Sequence, residues 1–490
     1  MEVIPVPLTD QPSPIPNLRS RTFFIDRHHL DNDTLKNALD QLVRQHWRKL
    51  GARLVSSRKN KRLEYHLPHS FDDNYTLFGW SSNTKPQSIQ DIQDLSGFFS
   101  PGQNITFMPS MDVIDKLFRP SDWPFDRKSE PPNAPLLYVH LTIFTDATVV
   151  ALSCPHVVAD QFGVSNIVKA WLGVVEGKTP PEMVGYRDDV LPKDATDADN
   201  SEKTVRTGRM RVRSKRENAL VTAGIVFDLI KNRKEESQII FLPTHLVESL
   251  RDRASKALVE KHTSIPNLTN GDILSAIFTK FSRMHETSEY SLALSQTVNL
   301  RGRVPALSAG KGDGFIHNGL HYATANFQVS SSTPLHDIAL CNRVAINQAM
   351  EETDIQAGVT ALRELARCGQ VMLICEPSQK LYSVSNWCGA WQGIDFSHAT
   401  KEPQETNKIV PELMVLGQSR LARSPLRYRV AIMCKTTEGF WCDFSAPPKA
   451  IALIKDHLAR DPMLESFSRN VILFAIYISS EFDIFMDLNW

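Results

Sequence analysis

The chain has 490 residues, 42% of them apolar and 22% charged, the composition of a folded globular protein rather than a disordered one, and its length favours two domains over a single core. Lys and Arg total 55, as do Asp and Glu, for a formal net charge of +0, which gives no reason to expect nucleic acid or an acidic membrane as partner. Seven cysteines without a Cys-x-x-Cys pair argue against a disulfide framework or a zinc knuckle. The start MEVIPVPLTDQPSPIPN lacks the basic and apolar regions of a secretory signal. The apolar stretches Ala219–Ile230 and Val471–Ile478 fall short of the ~20 residues of a membrane helix. The expectation is a soluble, cytoplasmic monomer that binds no metal.

In chain order, DNDTLKNALDQLVRQHWRKLG repeats Leu35, Leu39, Leu42, Val43, Trp47 and Leu50 at helical spacing, with Asp33 or Asn32 as cap and Gly51 at the end. Pro135–Phe144 reads as a strand, Thr145-Asp146 as a turn, and Thr148–Cys154 as an apolar strand buried on both faces. Pro155 interrupts it. From Gly163 onward, Ile167, Val168, Trp171, Leu172 and Val175 keep helical spacing until Gly177. Between Pro192 and Ser214 the chain turns polar and acidic, then basic, as a crossover between domains would. This divides it into an N-terminal domain over 1–195, a linker over 196–218 and a C-terminal domain over 219–490.

The second half restarts with LTNGDILSAIFTKF, where Thr269 and Asp272 form a capping-box pair and Ile273, Ile277 and Phe281 a buried stripe. SLALSQTVNLR alternates as a strand, and RYRVAIMCKTTEGFWCDF reads as a hairpin around Glu438-Gly439. No short-period repeat is visible. The tail RNVILFAIYISSEFDIFMDLNW matches no expected element.

Chemistry-bearing residues concentrate in SCPHVVADQFG, where His156 and Asp160 stand four apart. The spacing itself is uninformative, because His29/Asp33, His69/Asp73 and His457/Asp461 repeat it. Context separates them. Asp33 suits a helix cap, His69 lies in a loop-like stretch, and His457 ends a helix stopped by Pro462. His156 alone sits where a buried strand gives way to a helix, a junction that in α/β proteins often opens onto a site.

Further motifs follow in order: Asn299-Leu300-Arg301-Gly302-Arg303, then HYATAN ending at Asn326, then Ser385-Asn386-Trp387, then Asp395-Phe396. With WRKLGARL at Trp47–Leu54, this arrangement resembles the BAHD family of acyl-CoA-dependent acyltransferases, a branch of the chloramphenicol acetyltransferase-like superfamily, and in particular its fungal members acting on secondary metabolites. The resemblance runs from about Pro7 to about Asp461. It departs at Asp395–Ala399, where only Asp395 and Phe396 keep the family's residue types, and after Asp160, where Gln161 replaces a glycine and Gly163 follows two residues on.

The resemblance implies an α/β fold of two chloramphenicol acetyltransferase-like domains, each a mixed sheet flanked by helices, with the active site in a tunnel between them. It implies acyl-CoA, by default acetyl-CoA, as cosubstrate, a small-molecule alcohol as acceptor, and no permanently bound cofactor. His156 is the expected general base, since neutral imidazole suits removal of an alcohol proton near neutral pH. Asp160 is expected to turn away into an ion pair with Arg301, or failing that Arg303, with Asp395 sharing the arginine. Trp387 or Ser385 would face the oxyanion. Arg209, Arg211 and Arg213 are candidates for the coenzyme phosphates, against a solvated linker as the plain alternative. Cys154 reads as a small buried hydrophobe rather than a nucleophile. Amine acylation, condensation-type transfer, a nucleic-acid-binding regulator and a degenerate binding protein are the alternatives. A regulator is disfavoured by the neutral charge, and condensation by Pro155 where such domains carry a second histidine.

Overall fold

A computed structural model describes residues 1–194, 208–262, 266–400, 413–422 and 424–468. The C-terminal tail and most of the crossover lie outside them. The strands are β1 (Glu2–Pro5), β2 (Arg19–Asp26), β3 (Arg53–Ser56), β4 (Leu63–Leu67), β5 (Gly79–Thr84), β6 (Thr106–Met108), β7 (Tyr138–Ile143), β8 (Thr148–Pro155), β9 (Glu236–Pro243), β10 (Tyr290–Asn299), β11 (Leu320–Val329), β12 (Lys380–Asn386), β13 (Met414–Arg420), β14 (Arg429–Lys435) and β15 (Gly439–Ala446). The α-helices are α1 (Asn32–Gln41), α2 (Met111–Phe118), α3 (Gln161–Val175), α4 (Lys215–Lys231), α5 (Thr244–Lys261), α6 (Asn270–Ser282), α7 (Leu335–Ala349), α8 (Glu352–Cys368) and α9 (Pro448–Arg460).

Two mixed sheets carry the fold, as the α/β expectation required. One has five strands in the order β13-β2-β8-β7-β5; the other has seven, β11-β10-β12-β14-β15-β9-β6. The apolar run of β8 sits between β2 and β7, and all eight of its residues are buried. Such a run has no solvent side to present, so it must occupy the middle of a covered sheet.

The halves exchange strands. β6, from the first half, pairs antiparallel with β9; β13, from the second, pairs antiparallel with β2 over seven residues. Each exchange covers a sheet edge that would otherwise present unpaired backbone groups. Neither segment flanking the crossover therefore contains all the strands of its own sheet. One continuous core joins β2, β8 and α3 to Trp387, Met433 and Trp441 from the second half. A second core packs α5, α6, α7 and α9 against the seven-stranded sheet. Each fully buried Leu or Phe there contributes about 1.5–3 kcal/mol over leaving it exposed.

Local signals explain the helix starts. Thr269 N–H and Oγ1–H both donate to Asp272 Oδ2 at 2.7 Å, the expected capping-box pair at α6. The early helix is capped by Asp31 rather than Asp33 or Asn32: Asp31 is extended at ψ 117°, and its carboxylate accepts the Thr34 N–H at 2.8 Å. Asp33 already lies in the first turn, where its side chain cannot reach back to the orphan amides. α1 gives way to a π turn over Leu42–His46 and a short 3-10 turn ending at Gly51.

Candidate functional site

Between the sheets lies a cavity of about 610 Å³, lined among others by His156, Gln161, Thr297, Ser385, Trp387, Gln418, Arg429 and Asp443. The five-stranded sheet supplies the end of β8, and the seven-stranded sheet supplies β10, β12, β14 and β15. His156 is the first residue after β8. Its backbone N–H donates to Leu18 O at 3.0 Å, and its carbonyl accepts from Asn318 Nδ2 at 2.9 Å. The bend is thus clamped from both sides. The ring is half-buried. Burial pulls its pKa below the usual 6.5, and Asp160 and Asn318 partly counter this.

Asn318 is a residue that sequence reasoning missed. Its Oδ1 and the Nδ1 of His156 are both buried without a hydrogen bond of good geometry, yet the Asn318 side chain acts on the imidazole. Its backbone N–H donates to Asp10 Oδ1 at 3.2 Å. Behind it lies a buried group of charges. His317 Nε2 lies 2.8 Å from Lys49 Nζ, and His317 Nδ1 lies 3.3 Å from Asp10 Oδ2. Burial lowers Lys49 to about 7 and pushes Asp10 well up. The only sequence signal was a polar pair, His317-Asn318, in an otherwise apolar stretch.

Asp160 turns away from His156. One oxygen caps α3 by accepting the Gly163 N–H at 2.7 Å; the other accepts Arg301 Nη1 and the Gly319 N–H, each at 3.0 Å. Arg301 also donates Nη2 to His317 O at 2.7 Å. The aspartate therefore ties the start of α3 to the 315–319 segment. Gly163 makes that approach sterically possible: a Cβ there would stand 1.8 Å from Ile316 O. Arg303 does not join the pair. It is exposed at the cavity and donates to Asn299 O at 2.6 Å. Asp395 does not share Arg301 either. It is exposed and accepts the Ser397 N–H at 2.8 Å, as a turn aspartate does, while the neighbouring Phe396 packs at 5.8 Å from Phe24.

Ser385 and Trp387 both line the cavity, but not as equals. Trp387 Nε1–H donates to Ser385 Oγ at 2.7 Å, and Thr297 Oγ1–H donates to the same oxygen at 3.2 Å. The indole proton is therefore engaged. A hydroxyl that accepts two bonds keeps its own proton to give.

Arg209, Arg211 and Arg213 stand otherwise than expected. Arg209 pairs with Asp354; Arg211 holds Glu217 at 2.6 Å and Glu376 at 2.8 Å; Arg213 donates to Leu373 O at 2.6 Å and is only 3% exposed. They clamp the end of the crossover to α8 and to the segment before β12, and Met210 is the residue between them that reaches the cavity. Charge alternation is as compatible with internal ion pairs as with a ligand, and only the fold shows which carboxylates stand opposite. Cys154 is fully buried, and burial pushes its thiol up to about 12, which suits a packed hydrophobe and not a nucleophile. Arg429 and Asp443 also line the cavity. Burial raises Asp443 to about 6 despite Arg429, and its Oδ1 has no hydrogen-bond partner. Gln418 lacks partners for both amide atoms. Among the described residues no cluster of side chains fits a metal ion.

No family model matches the chain. Among curated relatives, the acetyltransferase adrJ of Penicillium rubens is 27% identical over 76% of each chain. The O-acetyltransferase PaAT-2 of Phomopsis amygdali is 25% identical, covering 88% of this chain and 92% of its own. One relative carries a different name: calD of Penicillium decumbens, a transcriptional regulator, is 26% identical over 76% of each chain. Among solved structures, TRI101 of F. sporotrichioides in complex with coenzyme A and T-2 superposes with a TM-score of 0.66 at 16% identity, covering 93% of this chain and 97% of its own. Vinorine synthase does so with a TM-score of 0.55 at 14% identity, covering 92% of each. At these identities the structural likeness shows the fold. The acetyltransferases among the relatives agree with that fold in pointing to an acyl-CoA-dependent acyltransferase.

Proposed function

We propose that the protein transfers an acyl group, by default acetyl, from acyl-CoA to a hydroxyl of a fungal secondary metabolite, with both substrates meeting at His156. The observation that carries this reading is an imidazole, its pKa held below the usual 6.5 by burial, on the wall of a cavity built from both sheets. Nδ1 is sealed in the protein, so Nε2 is the nitrogen left to act. It takes the proton of the acceptor hydroxyl as the oxygen bonds to the thioester carbon. The carbonyl oxygen becomes an oxyanion, and the Ser385 hydroxyl donates to it, with Trp387 and Thr297 fixing Ser385 Oγ from behind. Collapse breaks the C–S bond, and the departing thiolate receives the proton from the imidazolium. No covalent enzyme intermediate is needed, since a thiol with a pKa near ~8.5 leaves readily. Asp160 and Arg301 hold the loop and touch no reacting atom. Arg303, exposed at the cavity, is better placed for a coenzyme phosphate than Arg209, Arg211 and Arg213, which are engaged elsewhere and do not line it.

Release of free thiol from acetyl-CoA in the presence of a panel of terpenoid, polyketide and alkaloid alcohols, with mass detection of the ester, tests this reading. Intersecting initial-velocity lines and loss of ester formation in His156→Ala support it. Parallel lines, or a His156→Ala variant of undiminished rate, refute it.

A further inference from the structure

Helix α4 shows solvent the wrong face. It spans 17 residues after the crossover, started by Ser214 and Glu217 in a capping box. Val221 is its one fully buried residue, packed with Ala293 and Cys375. At roughly 100° per residue, Leu220, Ala223, Val226, Phe227 and Ile230 fall on the opposite side. Leu220 is 50% exposed, Val226 46%, Phe227 70% and Ile230 58%, which makes four of the ten exposed large apolar side chains among the described residues. So dense a patch on one helix marks an interaction surface.

Charge is sorted around it. The acids of the helix turn inward: Glu217 accepts from Arg211 at 2.6 Å, and Asp228 accepts from Arg283 at 2.8 Å and from the Tyr428 hydroxyl at 2.7 Å. Lys215 and Arg216 at the start, and Arg233 and Lys234 at the end, are exposed, as is Lys231, whose ammonium stands 3.7 Å from Glu286. The overall balance of charges, which gave no reason to expect a membrane partner, conceals this local segregation.

We propose that the outer face of α4 seats the protein on an anionic membrane surface. An apolar stripe flanked by basic side chains is the pattern of a helix lying in the bilayer interface. Among the described residues no helix is long and apolar enough to cross a membrane, and the contact proposed is one of α4 lying in the interface. A second copy is a poorer occupant, because symmetric pairing of this face would bring the basic ends of the helix against those of its copy. The inner side of α4 packs beside Leu381, which lines the cavity. A seated protein would thus hold its cavity close to apolar compounds dissolved in the bilayer. The proposal does not depend on the acyl-transfer reading.

Co-sedimentation of the full chain with vesicles of phosphatidylcholine containing phosphatidylserine, against phosphatidylcholine alone, tests it. The expected result is binding to the serine-containing vesicles that weakens as salt rises, and a fall of roughly tenfold or more in Phe227→Ser/Ile230→Ser. That variant should keep its melting temperature and its thiol release in vesicle-free buffer. The proposal is overturned by a full chain that stays in the supernatant, or by a variant that binds equally. It is overturned too by a dimer in sedimentation velocity that the variant dissolves, or by a variant that melts several degrees lower with no vesicle binding in either protein, which would mean another part of the chain covers the face.

Discussion

His156–Asp160 and His457–Asp461 share one spacing and have opposite geometries. In the second, on the last turn of α9, the imidazole and carboxylate face each other at 3.7 Å, and the ring packs against Phe467 at 5.0 Å. In the first, the bend after β8 sends the imidazole into the cavity and the carboxylate to Arg301 and the start of α3. A helix holds residues four apart on one face; a strand-to-helix bend separates them. The pair that looks most like a catalytic dyad lies on α9 away from the central cavity, whereas in the divided pair the imidazole lines that cavity and the carboxylate holds the loop.

The largest expected effect separates the two histidines. His156→Ala should lower kcat by ~10²–10⁴ with little change in melting temperature, and His457→Ala should leave kcat alone and cost about 1–3 kcal/mol of stability, read by urea denaturation. Equal rate losses would erase the distinction.

The next effect concerns the aspartates. Asp160→Asn leaves Arg301 short of its charge partner and should cost about 3–5 kcal/mol, with kcat per folded molecule largely kept. A fully stable variant that loses as much rate as His156→Ala would restore a dyad mechanism.

Ser385→Ala should lower kcat by ~10²–10³ with little change in KM, and Trp387→Phe by less, because the serine hydroxyl remains. A larger loss in the tryptophan variant would transfer the oxyanion role to the indole.

The pH dependence sharpens the same point. Because burial lowers the pKa of His156, the ring stays neutral through neutrality, and kcat/KM should be flat there and fall only below the ordinary value of ~6.5. His317 is lowered further, by burial and by Lys49. Below ~6.5 the unfolded chain therefore binds protons at these two histidines that the folded chain does not, and their contribution to stability should decline as pH falls, against the opposite contribution of Asp10, whose pKa is raised by burial. A kcat/KM profile that breaks above neutrality would contradict a buried neutral base.

The smallest effect is at Asp461, which accepts the backbone N–H groups of Glu465 and Ser466 at 2.9 and 2.8 Å. Asp461→Ala should cost about 1 kcal/mol, as loss of a cap does, without any change in rate.

Much of this was legible in the residues themselves. The apolar run of β8, the stop at Pro155 and the spacing of α3 are local properties, and they placed His156 at its junction. The ion pair of Asp160 with Arg301 was reached through resemblance, and the structure places it so. The roles expected of Arg209, Arg211 and Arg213 did not emerge in the fold, because their partners Asp354 and Glu376 lie far along the chain. Asn318 and the buried Asp10–His317–Lys49 group were invisible for the same reason: their meaning lies in contacts with distant residues.

The sequence by itself determined the periodic elements, their caps and the bend that carries His156, since hydrophobic spacing and backbone sterics act over a few residues. Only the tertiary structure decided that β6 and β13 change sheets, that the Trp387 N–H donates its hydrogen bond to Ser385, and that the acids of α4 face inward. Strand edges, hydrogen-bond partners and the sorting of charge are settled by which surfaces meet, and no local window of sequence contains both sides of a contact.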